Sequence, residues 1–421
     1  MKLSFKFALV SAALFGASMA QAATLTISCG TVGQDYEFCK NAAETWAKEN
    51  GHKVKLMSIP AASTDILGLY RKLFAAKSKD VDIVVVDVVW PGMIASHLLD
   101  LTPYTKGEEK KQFPAIVQNN TVDGKLVAMP WFTDAGVMYY RKDLLEKYDL
   151  PVPKTWDEFS KAAATIQEGE RKAGDKDFQG FVWQGKAYEG LTCDALEWVA
   201  SHGGGSVVEP DGTISINNDK AAKALDMAAG WVGTISPQGV LNYAEEDARG
   251  VFQNGKAAFM RNWPYAWSLS QGADSRVKDK VGVADIPAGS GADGKAAAAL
   301  GGWQLAVSKY SANPELAAEL VMYLTSEQTQ KKRAIEGSYN PTYPSLYEDK
   351  DVLAANPFFA DLLSVLQNAV PRPSTVTGMK YNEVSQSFWN AAHEVLSGKT
   401  DGANAVKKLE ARLKRVQRGK W

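Results

Sequence analysis

The stretch Asp82-Ile-Val-Val-Val-Asp87-Val-Val-Trp90-Pro-Gly decides the fold. Between its two aspartates lies a run of β-branched residues, which suits a parallel strand covered by helices on both faces. Ligands of open α/β sheets gather beyond the carboxyl ends of their strands, so Asp87 and Trp90 fall where a ligand is expected. A carboxylate accepts hydrogen bonds from hydroxyls, and a flat apolar ring covers a C–H face; a sugar needs both. The competing reading is that Asp87 caps the next helix and Trp90 fills the core.

Working outward, Thr24 to Ser28 reads as a strand, and Phe38, Ala42 and Trp46 form a helical stripe. Val54 and Leu56 alternate as a second strand, and Ser63 or Thr64 is expected to cap a helix that turns Leu67, Tyr70 and Phe74 inward. With the Asp82 strand this gives β-α-β-α-β, the opening of an open α/β sheet. A short strand at Leu126 to Met129 leads into Pro130-Trp-Phe-Thr-Asp134, and a new unit starts at Val137 to Tyr140. A lobe boundary is therefore expected near residues 130 to 135. Thr155-Trp-Asp-Glu158 is a capping box. At the far end Val406, Leu409, Leu413 and Val416 mark a final surface helix, with the basic residues from Lys407 to Lys420 on its wet face. No internal repeat or low-complexity linker is present, so short crossings should join the lobes.

Residues 1–22 carry Lys2 and Lys6, an apolar run from Phe7 to Phe15 and the exit Ala20-Gln-Ala22, the pattern of a cleaved secretory signal. Cys29 lacks the preceding pattern for lipid attachment, and no later segment reaches the roughly 18 apolar residues of a membrane span. A free periplasmic protein is expected, of about 400 residues, which is more than one hydrophobic core normally serves. The net charge of -1 argues against a nucleic-acid partner, which would call for a basic surplus. His52, His97, His202 and His393 lack ligand spacing, so neither a metal nor another cofactor is expected. The glycine clusters 203–205 and 289–291 lack a phosphate loop's lysine and hydroxyl, and no nucleophile elbow occurs. Two carboxylates could still meet in a cleft as the acid and nucleophile of a glycosidase. Three cysteines allow one bridge: Cys29 ends the first strand and Cys39 lies in the helix after it, so those two could pair and leave Cys193 buried and free. The alternative is that all three are small core residues.

Several motifs, in this order, carry a resemblance. They are Cys29-Gly-Thr-Val-Gly-Gln-Asp35-Tyr-Glu, Asp87-Val-Val-Trp90-Pro-Gly, Trp131-Phe-Thr-Asp134-Ala-Gly-Val-Met-Tyr-Tyr-Arg-Lys-Asp-Leu-Leu, Gln184-Gly-Lys-Ala-Tyr188-Glu-Gly-Leu-Thr-Cys, Asn262-Trp263-Pro and Gly301-Gly-Trp303. Together they resemble the trehalose/maltose-type solute-binding proteins of ATP-driven sugar importers, across nearly the whole mature chain. The resemblance implies an α/β, two-lobed periplasmic-binding-protein fold of type II, hinge-linked, with a ligand cleft between lobes that close on a sugar. It implies lobe I from 23–132 plus about 286–335, and lobe II from 133–285 plus about 336–421. It further implies Asp35, Asp87 and Asp134 as hydroxyl acceptors, Tyr188 and Trp263 as second-lobe contacts, Gly302 as a close backbone approach, Trp303 as a stacking platform and Arg372 as a donor. The implied protein is a monomer without catalysis that delivers an α-linked disaccharide such as trehalose, maltose or sucrose to membrane permease subunits. Ile66 departs from the pattern, standing where relatives often carry arginine; that leaves a glucosyl polyol, a sulfonated sugar or another small carbohydrate open. Loss of a donor that meets a ligand hydroxyl can reverse a preference between sugars.

Overall fold

The structure is a computed structural model that describes residues 22–421; the secretory-signal expectation falls almost entirely on residues outside it. Eleven strands follow one another: β1 (Thr24–Ser28), β2 (Lys53–Met57), β3 (Ile83–Asp87), β4 (Thr121–Val122), β5 (Lys125–Leu126), β6 (Met129–Ala135), β7 (Val137–Arg141), β8 (Gln179–Val182), β9 (Ala257–Asn262), β10 (Val281–Ala284) and β11 (Leu300–Val307). The first sheet has the order β2-β1-β3-β11-β6, with β1, β2 and β3 parallel and β11 antiparallel to both its neighbours. Every residue of β3 is buried, as its β-branched run requires of a strand covered on both faces. The second sheet has the order β10-β7-β9-β8. A small hairpin, β4-β5, stands apart.

One core collects around the first sheet from Ile27, Tyr70, Val84, Leu305 and Leu320, and it also takes in Tyr347, Val352 and Phe359. A second core gathers Trp156, Phe159, Trp183, Trp198 and Trp231 around the second sheet, with Leu409 and Leu413 of the last helix. Its indole rings meet edge to face, Trp183 on Trp198 at 5.1 Å and Trp198 on Trp231 at 5.8 Å, the geometry that ring quadrupoles favour. The final helix, Gly402–Gln417, buries Val406, Leu409 and Leu413 as their spacing predicts.

The chain changes sheets at Gly136, between β6 and β7, one residue past the expected boundary. It crosses again between β10 and β11, and a third time near Val370. The three crossings lie side by side: the Gly136 amide donates to Ala299 (3.3 Å), Leu300 to Val370 (2.9 Å) and Val370 to Ala298 (2.8 Å). This three-stranded strip is the hinge.

Two local expectations come out differently. Thr155 and Glu158 do form the reciprocal capping box, but the helix Ser63–Ala75 starts after Ala62 with no side-chain cap. The Thr64 hydroxyl instead accepts the Glu189 amide from the opposite side of the cleft, at 3.3 Å. The short strand expected at 126–129 is split, Leu126 closing the hairpin and Met129 opening β6. Cys29 and Cys39 are joined in a disulfide with Cα atoms 5.8 Å apart, and Cys193 is free and buried. Among the described residues no group of His, Cys, Asp and Glu is placed to hold a metal ion, and no helix is long and apolar enough to cross a membrane.

Candidate ligand cleft

Beyond the carboxyl ends of β1 and β3, and facing the second sheet, lies a cleft enclosing about 760 Å³, solvent at its mouth included. Seven of the eight ligand-contact residues predicted from sequence line it: Asp35, Asp87, Asp134, Trp263, Gly302, Trp303 and Arg372. Asp35 opens the helix Asp35–Glu49, on the loop that begins at Cys29. Its carboxylate lies against Gly30, where any Cβ would collide with it. Arg333 donates to Asp35 at 2.6 Å while its guanidinium stacks 3.8 Å from the Trp131 ring and 4.5 Å from Tyr339. Burial pushes the Asp35 pKa up, and Arg333 opposes the shift.

Asp87 ends β3. One of its oxygens accepts the Val89 amide (3.3 Å) and Arg372 Nη2 (3.0 Å); the helix that follows, Pro91–Ile94, starts after Trp90 with no side-chain cap, so Asp87 does not cap it and its carboxylate lines the cleft. Arg372 reaches from the third crossing and also donates Nη1 to Glu189 at 2.8 Å. Glu189 takes two more hydrogen bonds, from Ser385 (2.7 Å) and from the Tyr381 hydroxyl. A guanidinium shared by two carboxylates, with two hydroxyls on Glu189, pairs the buried charges as low-dielectric surroundings demand, while Arg372 Nε has no partner among the described residues.

Asp134, in β6, is only 7% exposed and has no hydrogen-bond partner among the described residues. Burial pushes its pKa well above the usual aspartate value; Arg261 and Arg333 pull against that shift, and Asp35 and Asp87 add to it.

The aromatic floor is built by glycines. A Cβ on Gly301 would come within 2.9 Å of the Trp263 ring, so this residue makes room for the indole. Gly302 sits at φ +126° beside a register shift in β11, and a Cβ there would lie 2.7 Å from the Phe132 carbonyl; only glycine fits that backbone and that gap. Trp303 follows, edge-on to Trp90 at 5.5 Å. Trp90 itself is 2% exposed and packs behind Trp303 against Tyr70, so of its two readings the core one holds.

Tyr188 is the predicted contact that does not line the cleft. Its ring is buried under Gly190, where a Cβ would meet its hydroxyl, and burial with Glu245 nearby pushes its pKa well up. Its neighbour Glu189 takes the cleft position. Sequence reasoning missed Glu189, Glu245, Tyr265 and Tyr339, all of them lining. Glu189 stood inside a quoted motif, at the start of the helix Glu189–Ser201, and that helix-start position was the available signal. Tyr339 lies far along the chain, and only tertiary packing brings it there. The Tyr265 ring covers Gly33 and stacks on Tyr339 with centroids 6.4 Å apart, and the Thr64–Glu189 contact gives a further link across the cleft.

Two sheet-centred cores, a three-stranded hinge and a polar-aromatic cleft between them define a two-lobed binding protein. The chain belongs to the bacterial extracellular solute-binding proteins of ATP-binding-cassette importers, whose family profile matches residues 31–331. It is 54% identical to the "Probable ABC transporter-binding protein" of Deinococcus radiodurans over 421 residues, 99% of this chain and all of that one. The solved structure of T. maritima MalE3 with maltose bound is 41% identical, with a TM-score of 0.88, and covers 94% of this chain and 100% of its own. A solute-binding protein of Thermotoga lettingae bound with α-D-tagatose, at 24% identity and a TM-score of 0.83, shares the fold over 94% of this chain and 100% of its own.

Proposed function

We propose that this protein is the periplasmic sugar-binding component of an ATP-binding-cassette importer, taking an α-linked disaccharide such as maltose, trehalose or sucrose to its permease subunits as a monomer without catalysis of its own. The observation that carries the reading is the cleft itself, where five carboxylates and two indoles converge around one guanidinium. Carboxylates accept from sugar hydroxyls, Arg372 donates to them, and Trp263 and Trp303 cover the apolar faces. The 41% identity to a structure holding maltose favours that sugar first. Ile66 lines the cleft as an apolar wall, which keeps the choice among related sugars a matter for measurement. Tyr188 supports this site from beneath the helix that carries Glu189. For the lobes we propose bounds that differ from the expected ones: residues 286 to about 298 go with the second lobe, since Ile286 and Ala298 pack in its core, and residues 336 to about 362 go with the first, where Tyr347, Val352 and Phe359 pack.

Calorimetry of the mature protein against maltose, trehalose, sucrose and a neutral polyol tests the reading. One site per monomer is expected, with a dissociation constant on the order of 1 μM, about -8 kcal/mol. Steady release of glucose from the disaccharide would instead establish a glycosidase. Charge gives a second expectation. The one guanidinium lining the cleft is already taken up by Asp87 and Glu189, so a uronate or sulfonated analogue, which would need a free cation there, should bind at least tenfold more weakly than its neutral counterpart. Equal affinity for the two would contradict the assignment of this cleft.

Trp303→Ala should weaken sugar affinity by at least tenfold, about 1.4 kcal/mol, and remove part of the tryptophan fluorescence change on binding. Unchanged affinity together with an unchanged response would place Trp303 outside the site.

A further inference from the structure

We infer that the buried pair Glu197–Arg261, neither of which lines the cleft, positions both the hinge and the ligand-facing Trp263, and so sets affinity from behind the site. The inference rests on the sugar-binding reading for Trp263 and on the observed hinge for the rest.

Arg261, in β9, donates Nη2 to Glu197 Oε1 at 2.6 Å and Nε to Oε2 at 2.9 Å, a two-point fork. Asp194 stands 3.1 Å from the same Nε, and Gln184 accepts Nη1 at 3.1 Å. All four side chains are fully or almost fully buried. Two features make this cluster more than core ballast. First, Glu197 Oε1 also accepts the amide of Ala299, at 3.0 Å, in the second crossing. Gly136, in the first crossing, lies so close that a Cβ would strike both Glu197 Oε1 and Arg261 Nη2. The ion pair thus holds one hinge strand by a hydrogen bond and packs directly against a second. Second, the Arg261 guanidinium lies 4.0 Å over the Trp263 ring. The flat cation backs the indole on one side, leaving it to line the cleft against Gly301. A planar, always-charged group is suited to stacking and forked pairing at once, and a lysine can reproduce neither.

Glu197 and Arg261 are positioning residues. The test combines affinity with local exchange. Glu197→Gln keeps the shape and a carbonyl for Ala299 but removes the charge; maltose affinity should fall at least tenfold. The Ala299 amide should exchange at least tenfold faster, while amides of β3 keep wild-type protection. Arg261→Lys, which loses both the fork and the planar stack, should show the same two changes, and it serves should Glu197→Gln fail to fold. Wild-type maltose affinity and wild-type Ala299 exchange in a folded variant would overturn the proposal, as would equal loss of protection in β3, which would mark the pair as general core. If the wild-type protein binds no maltose, the sugar reading fails, and the exchange comparison alone still decides the hinge role.

Discussion

Asp87→Ala is expected to abolish measurable sugar binding while the protein stays folded. Asp87 sits at the end of a strand buried along its whole length, and its carboxylate faces the cleft beside Arg372. Ligand hydroxyls enclosed there without an acceptor would each cost about 1 to 3 kcal/mol, so two such losses, about 2 to 6 kcal/mol, lower affinity about thirtyfold to about twenty-thousandfold. Folding should suffer far less. Arg372 keeps Glu189, and β3 keeps its ladder to β11, from Trp303 opposite Asp87 to Val307 opposite Ile83. Calorimetry and thermal melting on the same sample separate the two quantities. A variant that binds normally, or one that cannot fold, would refute the assignment of the strand end to ligand.

Arg372→Met should do damage of a different kind, striking stability and binding together. Its guanidinium is shared between Asp87 and Glu189, whose side chains come from opposite sides of the cleft. Removing it leaves two buried carboxylates facing each other without a counter-charge. Breaking a buried ion pair by deleting one partner costs about 3 to 5 kcal/mol, a large share of a typical domain's stability. The Glu189 pKa, already raised by burial against the opposing pull of Arg372 and with Asp87 adding, should climb further. Part of the lost stability should therefore return as the pH falls and the carboxyls take up protons. Denaturant melts at two pH values check this; a variant as stable as wild type at neutral pH would show that the pair contributes little.

Much of this was legible before any coordinates. The strand at 83–87, the gathering of Asp35, Asp87 and Asp134 at one cleft and the pairing of Cys29 with Cys39 all rest on local pattern or motif, and local pattern survives folding. What escaped was set by distant partners. Thr64 has a capping residue's chemistry, yet its hydroxyl is taken by a backbone amide 125 positions away. Tyr188 and Glu189 exchange roles because the helix start turns one side chain down and the next into the cleft, a matter of a single residue's rotation. Trp90 looked like a platform because it follows Asp87 so closely, but Trp303 arrives from β11 and covers it. None of these outcomes is written in residue type or spacing.

The placement of β11 constrains the order in which the protein can be assembled. It lies between β3 and β6, and those two strands share no edge without it. A chain growing from its amino end must therefore complete all four strands of the second sheet while the first sheet remains split down its middle, with the hydrogen-bonding groups of β3 and β6 waiting on one segment, residues 300–307. Pairings this far apart in sequence are slow to form, and the unpaired edges stay available to other chains until they do. For a protein of this length, the first sheet is finished only when nearly three-quarters of the chain has been made.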